Sequence, residues 1–242
     1  DFWLMGEIIH GDYNQWANSA MLDSVTNYEC YKGLYSSHND HNYYEIAYAL
    51  NRQFGESGIY EGKNLYAFAD NHDVNRVASM LINNAHLFPL YFLLFTMPGV
   101  PSIYYGSEWG LTGAKENGSD APMRPALDLS ALRQQTPIPG LVDAIARLAN
   151  VRKNSRALQH GNYRQLYVNH QQIAFSRQIG NELVIVLVNA SDTPVKVELE
   201  INMALGRRLI DLLDPGDQIA VNNSQLQVEA PAGWGRILRQ QE

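Results

Sequence analysis

The hydrophobic pattern of this chain changes period once, near Asn154, and that change limits the fold more than any single motif. Before it, apolar runs at residues 2–9, 22–26, 65–69 and 100–105 have the length and composition of buried strands. Between them lie helical stripes. Tyr43, Ile46, Ala47, Leu50 and Phe54 fall at helix spacing, and residues 85–97 are apolar nearly all round. Leu141, Ile145, Leu148 and Val151 form a third stripe, started by Pro139-Gly140, with Arg147, Arg152 and Lys153 toward its C-terminal end. Strands alternating with helices predict a parallel sheet, because parallel neighbours need a crossover between them. Beyond residue 156 the runs at 163–168, 173–178, 183–189, 195–201, 226–229 and 233–238 are short and separated by turn formers. The turn pairs are Asn169-His170, Gly180-Asn181, Ser191-Asp192, Pro215-Gly216 and Asn222-Asn223. This half predicts a small antiparallel β-sandwich. We therefore expect an α/β domain over 1–156 and an all-β domain over 157–242. Residues 106–138, rich in Gly, Pro and polar side chains, are too long for a plain connection and are expected to shape a site.

Residues 2–9 read as a core strand with no initiator Met, signal peptide or basic targeting segment before it, so the sequence reads as a piece of a longer chain. Its 242 residues suffice to bury a core. A net charge of -7 argues against a basic nucleic-acid groove. The longest apolar stretch, 87–100, is broken by Pro89 and Pro98 and falls short of the roughly 18 residues that a membrane span needs. Neither nucleic acid nor membrane is expected as a partner. The lone Cys30 excludes an intramolecular disulfide and a cysteine metal cluster, and reads as a small buried side chain.

Two motifs place a carboxylate just past a strand: Gly6-Glu7-Ile8-Ile9-His10 and Phe68-Ala69-Asp70-Asn71-His72-Asp73. The loops after parallel strands are where barrel enzymes gather their active sites. A pair of carboxyl groups there suits glycoside hydrolysis, one protonating the leaving oxygen and the other stabilising positive charge at carbon. His72 and Arg76 could hold sugar hydroxyls, and His10 could reach a sugar or cap a loop. The competing reading makes Glu7 a helix N-terminal acid and His72-Asp73 a structural pair. Tyr13, Trp16, Tyr105 and Trp109 could stack on sugar rings or simply pack the rim. His38-Asn39-Asp40-His41 reads as a solvated loop ahead of the helix at Tyr43, and Lys32 and Arg52 as helix-surface charges.

These motifs resemble the alpha-amylase family, glycoside hydrolase family 13. Gly6-Glu7 is similar to its fifth-strand motif and 68–73 to its seventh-strand motif. Asp23-Ser24-Val25-Thr26-Asn27-Tyr28 fits the sixth strand, and the run from Pro98 to Glu108 fits the eighth. Met123-Arg124-Pro125 stands where members carry an Arg-Pro turn. The resemblance implies the C-terminal half of a (β/α)8 TIM barrel, strands five to eight, followed by the family's β-domain. It implies Glu7 as acid/base, Asp73 as transition-state stabiliser, and Asn71, His72, Arg76, His10 and Tyr105 as substrate contacts. The substrate it implies is an α-1,4-linked glucan or maltooligosaccharide, with hydrolysis ahead of transglycosylation. The family's nucleophile, an Asp in a Gly-x-Arg-x-Asp setting after the fourth strand, has no counterpart here. Gly206-Arg207-Arg208-Leu209-Ile210-Asp211 has the wrong spacing and falls in the sandwich region. This chain alone is therefore expected to be inactive. The resemblance implies no cofactor and no metal in this chain, with a calcium ion compatible with the complete protein. Its expected partners are the missing N-terminal half of the barrel or a second copy of this chain, pairing at open strand edges. A glucan transferase and a non-catalytic binding or chaperone-like relative are the alternatives.

Overall fold

The structure, a computed structural model, describes residues 2–201, 208–221 and 224–241. The turn expected at Asn222-Asn223, and Gly206-Arg207 of the string above, lie outside the described residues. Four short strands run parallel through the first part: β1 (Met5–Gly6), β2 (Ser24–Val25), β3 (Tyr66–Phe68) and β4 (Val100–Ser102). β1 pairs with β2 and β3 with β4, and a parallel bridge from Thr26 to Tyr66 joins the two pairs. The β2–β3 crossover carries α1 (Tyr28–Asn39) and α2 (Tyr43–Phe54); the β3–β4 crossover carries α3 (Val77–Met80) and α4 (Leu87–Thr96). After β4 come α5 (Leu129–Gln134), α6 (Leu141–Lys153) and α7 (Arg156–His160).

Two expectations change here. Residues 2–9 form a strand only at Met5–Gly6, and Phe2, Trp3, Leu4, Met5 and Ile9 are exposed, Phe2 at 86%. β1 has β2 on one side, and among the described residues no strand on the other, so the apolar face has nothing to bury against. Of 38–41, Asp40 and His41 do form an exposed turn ahead of α2, but His38 and Asn39 belong to α1. His38 lies in the last turn of α1, wholly buried, its Nδ1 2.6 Å from the Leu34 carbonyl and its Nε2 2.8 Å from the Tyr43 hydroxyl. Burial pulls its pKa down to about 3. α1 itself escaped the periodicity reading because its buried face is Cys30, Gly33, Leu34, Ser36, Ser37 and His38, mostly small or polar residues, with Gly33 as the contact point for Ile46 of α2.

Among the described residues the second part has eight strands: β5 (Asn162–Val168), β6 (Gln172–Ile179), β7 (Glu182–Asn189), β8 (Val195–Glu200), β9 (Arg208–Asp211), β10 (Gln218–Ala220), β11 (Gln225–Ala230) and β12 (Trp234–Gln240). Six form one antiparallel sheet in the order β10-β9-β12-β7-β6-β5, and β8 and β11 pair as a ribbon across it. β9 and β10 carry too few apolar residues in sequence to announce themselves. The sheet is buried on both faces. Ala174, Ile185, Leu187 and Leu238 meet Val197, Leu199, Leu226 and Val228 of the ribbon. The alternate residues Ile173, Phe175, Val184, Val186, Val188 and Ile237 join the core of the first part, which includes α4 and α6.

That junction is close. A Cβ on Gly235 of β12 would stand 2.3 Å from the Leu187 carbonyl and 2.7 Å from the Phe92 ring of α4, so only glycine lets sheet and helix meet there. The last carbonyls of α4 are satisfied by two arginines from other elements. Arg152 of α6 donates to the Phe95, Met97 and Gly99 carbonyls, and Arg177 of β6 to those of Thr96, Gly161 and Asn162. Arg152 stands in the last turn of its own helix, as its sequence position implied, but is buried and caps a neighbouring helix.

Candidate active site

Parallel strands put all their C-terminal ends on one side, so the residues after β1, β2, β3 and β4 converge. Glu7 follows β1 and is exposed. Its Oε1 accepts a bond of 2.8 Å from the Tyr28 hydroxyl at the start of α1. Asn71, beyond β3, donates from Nδ2 to the same Tyr28 oxygen at 3.2 Å. The Asn71 Oδ1 accepts from the backbone N–H of Asp73 at 2.8 Å and of Val74 at 3.1 Å. One chain of bonds, Glu7 to Tyr28 to Asn71 to the Asp73 backbone, thus fixes both carboxylate-bearing loops to each other. Tyr28 has its pKa pushed up to about 12, first by burial, with Glu7 and Asp73 adding to it, so it remains a hydrogen-bond donor at neutral pH.

Asp73 is held from two sides. Arg124 Nη2 lies 2.8 Å from its Oδ1 and His72 Nε2 lies 3.3 Å from its Oδ2. His72 is 54% exposed at its side chain, open to a ligand. His10 is exposed and, with Tyr13, Tyr28, Tyr31 and Tyr48, lines a cavity of about 660 Å³ against α1 and α2, whose lining does not include Glu7. Tyr105 is 42% exposed and donates its hydroxyl to the Pro125 carbonyl at 3.0 Å.

Arg76 and Asn71 do not have the freedom expected of sugar contacts. Arg76 is 0% exposed, and its guanidinium donates to the Met123 and Tyr105 carbonyls and to Ser107 Oγ, with its cation over the Tyr104 ring at 4.2 Å. Ser107 in turn donates to Asp70 Oδ2 at 2.7 Å, which also accepts from the Val77 N–H at 2.9 Å. Arg76 therefore braces the β3 loop against the segment after β4 rather than touching a ligand. Burial raises the pKa of Asp70; Ser107, the Val77 N–H and Arg76 oppose that rise. Asn71 has its acceptor and one donor committed to the protein, and acts as a turn former. Tyr13 is buried and stacked on Tyr60 with centroids 5.0 Å apart, so it packs the rim.

Sequence reasoning missed Tyr28 as the link between the loops, and missed Arg124 as the partner of Asp73. The Asn27-Tyr28 pair at a strand end and the Arg124-Pro125 turn were the available signals. Lys32 and Arg52 pair with Glu45 and Glu29 across α1 and α2. Among the described residues no group of three or more His, Cys, Asp or Glu could hold a metal ion, and no helix is long and apolar enough to cross a membrane.

A strand-end site with two carboxylates, on a parallel sheet followed by a β-domain, is the arrangement of a carbohydrate-active barrel. The family model for the alpha amylase catalytic domain matches residues 1–157, and that for the neopullulanase-like C-terminal domain matches 163–234. The chain belongs to the alpha-amylase family, glycoside hydrolase family 13, whose fold is a TIM barrel. It is 27% identical over 245 residues to a cyclomaltodextrinase of Geobacillus thermopakistaniensis (strain MAS1), covering 98% of this chain and 40% of the relative. It is 31% identical over 131 residues to a cyclomaltodextrin glucanotransferase of Bacillus sp. (strain 6.6.3), covering 54% of this chain and 17% of the relative. The crystal structure of Geobacillus thermoleovorans alpha-amylase complexed with acarbose superposes with a TM-score of 0.80 at 19% identity, over 100% of this chain and 54% of that one. The last likeness is one of fold. The chain spans less than half the length of these two curated relatives.

Proposed function

We propose that this chain is the acid/base half of a retaining α-glucan hydrolase: strands five to eight of a (β/α)8 barrel with its β-domain. The observation that carries the reading is the bonded path Glu7–Tyr28–Asn71–Asp73, which ties two carboxylate loops into one wall. Glu7 Oε1 is held by Tyr28, and Oε2 takes no bond from the described residues and can present a proton to a glycosidic oxygen. In the forward step Glu7 transfers that proton to the leaving oxygen as the C1–O bond breaks and a nucleophilic carboxylate from the rest of the protein bonds C1. In the return step Glu7 takes a proton from the water that displaces the carboxylate. Asp73 offsets positive charge on the distorted sugar, with His72 and Tyr105 beside it, and His10 extends the contact on the Glu7 side. α-1,4-Linked maltooligosaccharides are the substrate class. Hydrolysis is preferred over transfer because the relative matched along 98% of the chain is a cyclomaltodextrinase. The presence of both Glu7 and Asp73 argues against a non-catalytic relative.

Glu7→Gln in the complete protein tests the reading. Hydrolysis of maltoheptaose is expected to fall by several orders of magnitude, as when one member of a catalytic set is removed. A variant with more than about a tenth of the wild-type kcat would remove Glu7 as acid/base.

A further inference from the structure

The proposed reaction asks Asp73 to meet the sugar with one defined edge, yet Asp73 sits on a loop and is 42% exposed at its side chain. A carboxylate so placed would normally sample several rotamers. Here its Oδ1 is taken by Arg124, whose Nε also donates to the His72 carbonyl at 3.0 Å. The same Arg124 Nη2 reaches Asp120 Oδ2 at 3.0 Å, and Asp120 Oδ1 lies 3.1 Å from Lys115 Nζ. Arg124 and Asp120 flank a single turn of 3-10 helix at Ala121–Met123, so their spacing is set by local backbone. Arg76 ties that turn down, donating twice to the Met123 carbonyl from its buried position. The planar guanidinium is thus fixed by Asp120 and the His72 carbonyl before it meets Asp73. Only the Oδ2 edge, which faces His72, is left for a ligand.

We propose that Arg124, anchored by Asp120, is the positioning residue of Asp73: it holds Oδ1 so that the Oδ2 edge and His72 together face the sugar. Arg124 acts through Asp73 and does not itself contact the reacting ring. The inference rests on the catalytic role proposed for Asp73 above.

The test is a double-mutant cycle on the complete protein, with kcat and KM read on maltoheptaose. Arg124→Gln is expected to lower kcat about 10- to 100-fold, the scale of a misplaced catalytic group, with KM changed less than about 3-fold. Arg124→Lys keeps the charge but loses the fork, and recovers part of kcat. Asp120→Asn shows a smaller loss of the same kind. In an Asp73→Asn background, Arg124→Gln should cost less than about 2-fold more, because its target is gone. A KM rise with kcat unchanged would overturn the proposal by making Arg124 a direct sugar contact. Additive losses in the cycle would overturn it by making Arg124 independent of Asp73. If Arg124→Gln fails to fold, Arg124→Lys carries the same cycle. Wild-type protein inert on maltoheptaose, or Asp73→Asn as active as wild type, would sink the catalytic reading and this inference with it. An impaired Asp73→Asn with an additive cycle sinks this inference alone.

Discussion

Replacing Arg76 by Met keeps most of the apolar stem and deletes the guanidinium, and the structure fixes what that should cost. The Met123 carbonyl loses both of its Arg76 donors and the Tyr105 carbonyl loses one, while Ser107 keeps its bond to Asp70. Met123 is wholly buried, so its carbonyl finds no water in exchange. Two stranded carbonyls cost about 1–3 kcal/mol each. Asp70 is 3% exposed and also loses the cation that opposes its desolvation. The combined loss is about 3–5 kcal/mol, the range seen when one partner of a buried ionic network is removed. With a urea m-value of about 3 kcal/mol/M, the unfolding midpoint should fall by about 1–1.7 M. Urea unfolding followed by circular dichroism reads this directly. A midpoint shift below about 0.3 M at unchanged m would refute the view that Arg76 braces the two loops, and would return it to the role of a free ligand contact.

Two further expectations follow from the packing. His38 and His86 both have their pKa lowered from 6.5, chiefly by burial, so the unfolded chain binds protons that the folded chain refuses. Both therefore destabilise the fold as pH falls below about 6.5, and for His38 the loss runs on toward pH 3 at up to about 1.4 kcal/mol per pH unit; His38→Gln should flatten the fall in unfolding free energy between pH 7 and pH 5, and an unchanged slope would count against it. The exposed row Phe2, Trp3, Leu4 and Met5 beside the open edge of β1 is expected to associate, with the rest of the barrel or with a second copy; light scattering on the 27.3 kDa chain that gave a clean monomer would dismiss this.

How much of this was legible in the sequence depended on what each residue packs against. α2 and α6 could be read at their true bounds to within a few residues, because Tyr43, Ile46, Leu50 and Phe54, and Leu141, Ile145 and Leu148, each form one apolar stripe facing one core. β7 was also legible, since a strand buried on both faces reads as the apolar run Leu183 to Val188, and β6 through Ile173-Ala174-Phe175 and the turn formers beside it. β9 and β10 were not, because their pairing is decided by β12 and by each other rather than by their own composition. In the site, a carboxylate after a strand is visible from order alone, so Glu7 and Asp73 could be named. His72, its neighbour in sequence, could be paired with Asp73 in the same way, but the second partner, Arg124, could not. Arg124 lies 51 residues away along the chain, and nothing local says which of two arginines, 76 or 124, is buried and which reaches the carboxylate. Arg76 is the buried one because Gly113, Met123 and Tyr105 close around it.

The two halves of the chain serve the site from opposite ends. Glu7 and Asp73 stand after β1 and β3, at the C-terminal ends of the parallel strands, where side-chain geometry decides chemistry. α4 ends at Thr96, just before β4 begins at Val100, so its capping carbonyls lie at the N-terminal ends of those strands. It is there that Arg152 and Arg177 converge, and Arg177 comes from the β-domain. Burial lowers Arg152 to about 10 and Arg177 to about 9, the Arg152 cation adding to the fall at Arg177, yet both stay charged at neutral pH. Their charge is balanced by six carbonyl oxygens, those of Phe95, Met97, Gly99, Thr96, Gly161 and Asn162. A helix end that needs a guanidinium from another domain cannot be finished until that domain has docked. The β-domain thus closes the end of α4, the helix that leads into β4, and the segment beyond the far end of β4 carries Tyr105 and Ser107 into the Arg76 brace.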